Sequence, residues 1–291
     1  MKAEKYKKVL AFAILILASI IFVFPFAWIL IGSFQTDEQL LSSPPSILPN
    51  IDFLINYKAV LLGEFYGPYK VMVPTAITWI PRSIINSIIV AVISSTMTII
   101  VSSPLAFILA SFKFRGRDAI TFSMILVRTL PIAALIIPLY LVMKNLNLLN
   151  TYWVLILTYT GTLLPYGIWM LTASFQTIPK DITDSSTVDG CSTIQTLYKI
   201  VFPISAPGIV VTFIFCFLLC WNEFFVALTM TNSPETYTLP VVISMFANLP
   251  QMTPYSLMLA SAVLGAVPPV IIVLIFQKYI VSGLIAGAVK G

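Results

Sequence analysis

Apolar residues in this chain come in long runs rather than at the spacing of a half-buried helix or strand. A membrane-crossing helix needs about 20 mostly apolar residues. Six segments meet that need: residues 9–31, 84–112, 119–143, 152–175, 205–230 and 256–281. The first follows Lys2, Lys5, Lys7 and Lys8, as a signal peptide would. Its apolar run is too long for a signal core, and Phe24-Pro25-Phe26-Ala27-Trp28 stands where a small-residue cleavage site would be. It therefore reads as an uncleaved span. Pro104, Pro131, Pro138, Pro165, Pro268 and Pro269 lie inside the runs. Membrane helices tolerate such prolines, which kink them.

Lys and Arg set the orientation. With the N-terminus in the cytoplasm, the cytoplasmic segments carry eleven Lys and Arg and the outer segments four. Both termini are then cytoplasmic. The expected fold is an all-α integral membrane protein, a single domain over 1–291. It has six transmembrane helices, outer loops at 33–82 and 231–255, and a cytoplasmic loop at 176–203 between spans four and five.

Composition narrows the function. Charged residues are 9% of the 291, against about 25% in soluble domains. Mean hydropathy is +0.99. A soluble enzyme, a disordered chain and a nucleic-acid binder are excluded. The chain has no histidine, which removes imidazole acid–base chemistry and histidine metal sites. Its three cysteines, Cys191, Cys216 and Cys220, form no CxxC pair, and no metal is expected. Neither GxxxxGK[ST] nor GxGxxG occurs, so no nucleotide motif is visible. Work against a gradient would draw on ions or on a partner.

The loop 176–203 carries the sharpest local signal. Pro179 breaks the incoming helix, and Asp181 is a candidate N-cap for a helix over 182–188. Gly190 suits a left-handed stop, and Ser192 a second cap, for a helix running to Val201. Pro203 and Pro207 open the next span. Apolar Ile182, Val188, Ile194, Leu197 and Val201 would lie on the membrane domain or in a partner's groove. An ordinary loop packed on its own spans fits this local physics equally well.

The residues also carry a resemblance. Asp184-Ser185-Ser186, Asp189-Gly190-Cys191, and Ile200, Phe202 and Pro203 resemble the EAA loop of permease subunits of bacterial and archaeal ABC importers. There the pattern is Glu-Ala-Ala, Asp-Gly-Ala and a closing Ile-x-Pro. The departures keep a negative charge and small side chains. Arg82-Ser83-Ile84-Ile85-Asn86-Ser87, Leu148-Leu149-Asn150-Thr151, Leu164-Pro165-Tyr166-Gly167 and Trp221-Asn222-Glu223-Phe224 look like the same family. The tail Gly283–Gly291 is similar to that of the carbohydrate importers, specifically the second permease of maltose-type systems.

That resemblance implies a subunit without catalytic residues, in the plasma membrane of a bacterium or archaeon. Its implied partners are a second permease, two cytoplasmic ABC ATPases that bind ATP and Mg, and an extracytoplasmic solute-binding protein. The cargo would be a sugar or oligosaccharide, moved by alternating access. Asp184, Ser185, Ser186, Asp189, Gly190 and Cys191 would couple to the ATPases. Ala247, Asn248, Leu249, Pro250 and Gln251 would meet the binding protein, and the tail would lie between the ATPases.

Within the spans, charge is rare and costly, about 2.5–3.5 kcal/mol per residue on insertion scales. Arg128 and Glu223 are the candidates for a substrate path, with Asn222, Tyr140 and Trp221 near in sequence or kind. Tyr159, Tyr166 and Trp169 add aromatic faces. Each also has a packing role open to it. Import of another small polar solute, or ion-driven secondary transport through Glu223, are the competing readings.

Overall fold

The computed structural model describes residues 2–44, 54–64, 75–245 and 253–288, and no strand occurs among them. In chain order the helices are α1 (Lys2–Gly32), α2 (Asp37–Leu40), α3 (Ile55–Leu62), α4 (Ile80–Ser111), α5 (Arg117–Arg128), α6 (Ile132–Asn145) and α7 (Tyr152–Phe175). Then follow α8 (Lys180–Val188), α9 (Thr193–Thr196), a π turn at Leu197–Val201, and α10 (Phe202–Ile204). The chain ends with α11 (Ala206–Trp221), α12 (Phe225–Met230), α13 (Leu239–Ser244) and α14 (Tyr255–Ala288). Among the described residues, four stretches are long and apolar enough to cross a membrane, and six if each sharply bent pair counts as one span.

Two compact units are present: Met1–Pro81 with Val242–Val267, and Arg82–Val241 with Pro268–Gly291. In the first, α1 exposes apolar side chains along most of its length. The turn that follows is held by Asn56, whose Nδ2 donates to the carbonyls of Ser33 (2.9 Å) and Gln35 (2.7 Å). Thr36 and Gln39 close a capping box on α2. The carboxylate of Asp37 accepts the N–H of Ser256 (2.8 Å) at the start of α14. Burial raises the pKa of Asp37 above its ordinary value, against the pull of the Ser256 and Tyr255 donors.

The second unit is built on α4 and α7. Ser94, Thr98 and Ser102 form a small buried stripe one turn apart on α4. Gly167 of α7 packs on that stripe. A Cβ there would stand 2.8 Å from Thr98 Cγ2 and 2.9 Å from Ser102 Oγ. Small residues let two membrane helices approach closely, where apolar burial alone gives no preference over lipid.

The predicted span 152–175 matches α7, whose first turn is capped by Thr151 Oγ1 accepting from Val154 N (3.3 Å). The spans predicted at 119–143 and 205–230 are not continuous helices. The first splits into α5 and α6, which meet at 93°. Pro131 has no N–H to continue α5, and it precedes α6 with an extended backbone. The second begins after an 84° bend at Ser205, which Pro203 and Pro207 flank. It breaks again at residues 222–224, between α11 and α12.

Candidate functional site

The loop 176–203 folds as helix, stop, helix. Helix α8 starts at Lys180 with Pro179 as its N-cap, not Asp181. Proline fixes the right φ and wastes no N–H there, while Asp181 sits in the first turn, where its charge favours the helix dipole. The Asp189-Gly190-Cys191 run is a Schellman stop. Cys191 N donates to Ser186 O (3.0 Å) and Gly190 N to Thr187 O (3.1 Å). Gly190 has φ +81°, which explains glycine at that position. Ser192 and Gln195 then form the predicted second cap, as a full capping box.

One contact clamps the two helices. Ser186 Oγ and Thr196 Oγ1 lie 2.9 Å apart, both buried. The apolar residues of the loop divide into two sets. Leu197 and Val201 are buried with Ile99, Ala106 and Phe107 of α4 and Leu171 and Phe175 of α7. Ile182, Val188 and Ile194 face outward, and Val188 is 88% exposed. Asp184 and Ser185 are exposed, as is Asp189, and Cys191 is half-buried. Asp184 lines a cleft of about 130 Å³ with Lys180, Thr187, Thr193 and the end of α4 at Ser111 and Phe112.

Arg128 and Glu223, the two charges expected to line a substrate path, have separate environments. Glu223 closes the break before α12. Its carboxylate accepts Val226 N (2.9 Å), Ala227 N (3.2 Å) and the hydroxyl of Tyr159 (2.7 Å). It thus supplies a cap and ties α12 to α7. Trp221 is buried and stacks on Phe217, and the Asn222 amide donates back to Leu218 O (2.8 Å). Tyr140 is half-buried on α6. Arg128 ends α5 and lies over the Tyr166 ring, 4.3 Å from its centroid. Tyr159 and Tyr166 are seven residues apart on α7, so the charges sit about 10 Å apart along it and serve different tyrosines.

At the far end of the unit, scattered residues converge on the segment 231–239. The Asn86 amide donates to the carbonyls of Glu235 (3.0 Å) and Tyr237 (2.9 Å) and accepts from Tyr152 (2.7 Å). Ser87 Oγ accepts Leu239 N (2.8 Å). Asn150, with φ +57°, accepts Asn232 N (3.0 Å) and Thr236 Oγ1 (2.7 Å) and donates to Ser233 Oγ (3.1 Å). Glu235 is exposed, and its pKa is lowered chiefly by a hydrogen bond from Ser233. Sequence reasoning did not foresee Asn86 and Asn150 as loop anchors. Their signal was a polar side chain at the mouth of an apolar run. The predicted contact Ala247–Gln251 lies outside the described residues.

Comparison with known proteins fits this architecture. Residues 102–285 match the family described as binding-protein-dependent transport system inner membrane component. The chain is 36% identical over 279 residues to the sulfoquinovosyl glycerol transport system permease protein SmoH of Agrobacterium fabrum, covering 95% of this chain and 93% of that one. It is 34% identical to the trehalose/maltose transport system permease protein MalG of Thermococcus litoralis, over the whole of both chains. Its fold matches, at TM-score 0.77 and 19% identity, a chain of a bacterial ABC transporter involved in the import of alginate, covering 96% of this chain and 98% of that one. The capped loop, the paired long spans and the full-length match agree: the chain belongs to the binding-protein-dependent transport system inner membrane component family, as a multi-pass permease subunit.

Proposed function

We propose that this permease serves an ATP-driven importer of a sugar or oligosaccharide, and that the loop 176–203 couples it to cytoplasmic ATPases. The observation that carries this is the divided loop. Leu197 and Val201 anchor it in the core of the unit, while Ile182, Val188 and Ile194 stand outward on the other side. A short helix with its own stop and clamp moves as a rigid piece. Apolar side chains on it gain by entering a partner's groove. ATP and Mg belong to that ATPase partner. A second permease, two ATPase subunits and an extracytoplasmic binding protein complete the assembly. The Lys and Arg bias supports a topology with both termini in the cytoplasm. The carbohydrate assignment draws support from the named cargoes of the two relatives, sulfoquinovosyl glycerol for one and trehalose/maltose for the other.

The test is a purified complex in nanodiscs. Tagged chain recovered from its native membrane should bring a second permease, a P-loop ATPase and a solute-binding protein. Saccharide-dependent ATP hydrolysis by that assembly names the cargo. Val188→Asp should abolish the saccharide-stimulated hydrolysis. Recovery of the chain alone, active in ion-driven uptake, would overturn the reading.

A further inference from the structure

Arg128 has an environment that its helix does not complete. Its guanidinium carbon lies 4.3 Å from the centroid of the Tyr166 ring. A ring face takes none of the five N–H donors on the guanidinium edge. Among the described residues no carboxylate pairs with it, and Glu223 is committed to α12 and Tyr159. Tyr166 lies nine residues before the end of α7 and fourteen after its start, so about 14 Å and 21 Å from its two ends. A charge that far along an apolar helix faces protein or a water-filled cavity rather than lipid tails.

Beside Arg128 a cleft of about 270 Å³ is lined by Met124, Ile125, Thr129 and Trp169. The cleft lies at the break between α5 and α6, where Thr129 follows the last residue of α5. The cleft brings together an aromatic side chain, a hydroxyl and a planar fork of donors. Thr129 Oγ1 donates to Leu126 O (2.8 Å) and keeps its acceptor capacity.

We propose that this cleft reads the cargo, and that the edge of Arg128 donates to a pair of oxygens on the passing saccharide. A planar fork fits two oxygens side by side, as on a vicinal diol or a carboxylate. Trp169 offers its face to the sugar ring. The proposal rests on the importer reading above and adds the residues and the chemistry of recognition. The competing occupant of the fork is a carboxylate of the neighbouring permease.

The experiment uses the assembled complex with a hydrolysis-deficient ATPase, held by ATP. Labelled trehalose is the neutral probe and a labelled hexuronate-containing disaccharide the acidic one. The probe that binds the parent complex should lose at least tenfold in affinity with Arg128→Gln, and Arg128→Lys should recover only part of it. Preference for the diol or the carboxylate follows from which probe binds. In a chain carrying Cys191→Ala, Thr129→Cys should react with a water-soluble thiosulfonate, and that probe should protect it. Cys216 and Cys220 are buried and stay silent. Unchanged affinity in Arg128→Gln overturns the proposal, and so does an unreactive or unprotected Thr129→Cys. If Arg128→Gln fails to assemble, protection at Thr129→Cys decides alone. The absence of any saccharide-stimulated hydrolysis in the parent complex would instead sink the importer reading.

Discussion

The bond between Tyr159 and Glu223 is the place to test how this fold is held. Tyr159 is buried at 2% exposure, and its hydroxyl donates to Glu223 Oε2 at 2.7 Å. Two magnitudes compete. Hydrogen bonds between helices in a membrane average about 0.6 kcal/mol. A bond to a charged group contributes about 1.5–3 kcal/mol. The second should win here, because the acceptor is a carboxylate that also takes two backbone donors. Glu223→Leu leaves the Tyr159 hydroxyl and two backbone N–H groups unpaired and should cost about 1–3 kcal/mol, the range for a stranded buried polar group. Tyr159→Phe alone should cost about 1.5–3 kcal/mol. In the Glu223→Leu background the same change removes a hydroxyl that has already lost its acceptor, so it should cost nothing. Reversible unfolding in mixed micelles with rising SDS gives the four stabilities of the cycle. A coupling energy at or below about 0.6 kcal/mol would refute the view that this carboxylate holds the two helices together.

Three further outcomes follow from the same geometry. Gly167→Ala puts a methyl 2.8 Å from Thr98 Cγ2 and 2.9 Å from Ser102 Oγ and should cost about 1–3 kcal/mol in the same unfolding assay, with Thr98→Ser and Ser102→Ala together restoring most of it. Ser186→Ala strands the buried Thr196 hydroxyl and should cost about 1 kcal/mol, while adding Thr196→Val should bring the loop back near the parent, as read by hydrogen exchange over α8 and α9. Asp37 has its folded pKa raised above 3.8, so its contribution is fully present below that value and is lost as pH rises through the folded pKa. Asp37→Asn keeps an acceptor for Ser256 N and should therefore gain on the parent as pH goes from about 3.5 to about 7; a difference that stays constant would rule out the burial effect.

The parts of this structure that depend on runs of residues were legible in the sequence. The span 152–175 is bounded by a Thr cap on one side and Pro179 on the other, and α7 follows it. The stop at Gly190 and the cap at Ser192 rest on local φ and side-chain reach, and both are found. The bends were not legible in the same way. Pro138 and Pro165 stay inside helices, while Pro131 and Pro203 stand at sharp bends. A proline marks where a helix is weak; whether it breaks depends on what receives the freed chain. At Pro131 a tyrosine ring takes the arginine at the end of α5. Nor did the sequence tell a carboxylate that caps from one that binds cargo. That difference lies in two backbone N–H groups, three and four residues on from Glu223.

Tyr152, Tyr159 and Tyr166 stand seven residues apart on α7, and two turns of helix bring each nearly over the last, about 20° out of line. Each meets the polar group at an interruption of a neighbouring segment. Tyr152 donates to Asn86 (2.7 Å) and to Glu235 O (3.1 Å) at the anchored loop. Tyr159 holds Glu223 at the break before α12, and Tyr166 lies under Arg128 at the break after α5. The residues past the end of α7 lead directly into α8, and its last turn packs Leu171 and Phe175 on Leu197 and Val201 of the loop. Broken helices in a membrane need their freed backbone groups satisfied by protein. Here the tyrosines reach those breaks in three ways: Tyr152 bonds a backbone carbonyl directly, Tyr159 holds the carboxylate that caps the next helix, and Tyr166 lies under the arginine that ends another. One face of α7 thus serves all three, and its last turn also carries the loop, so α7 joins the broken segments to the loop helices.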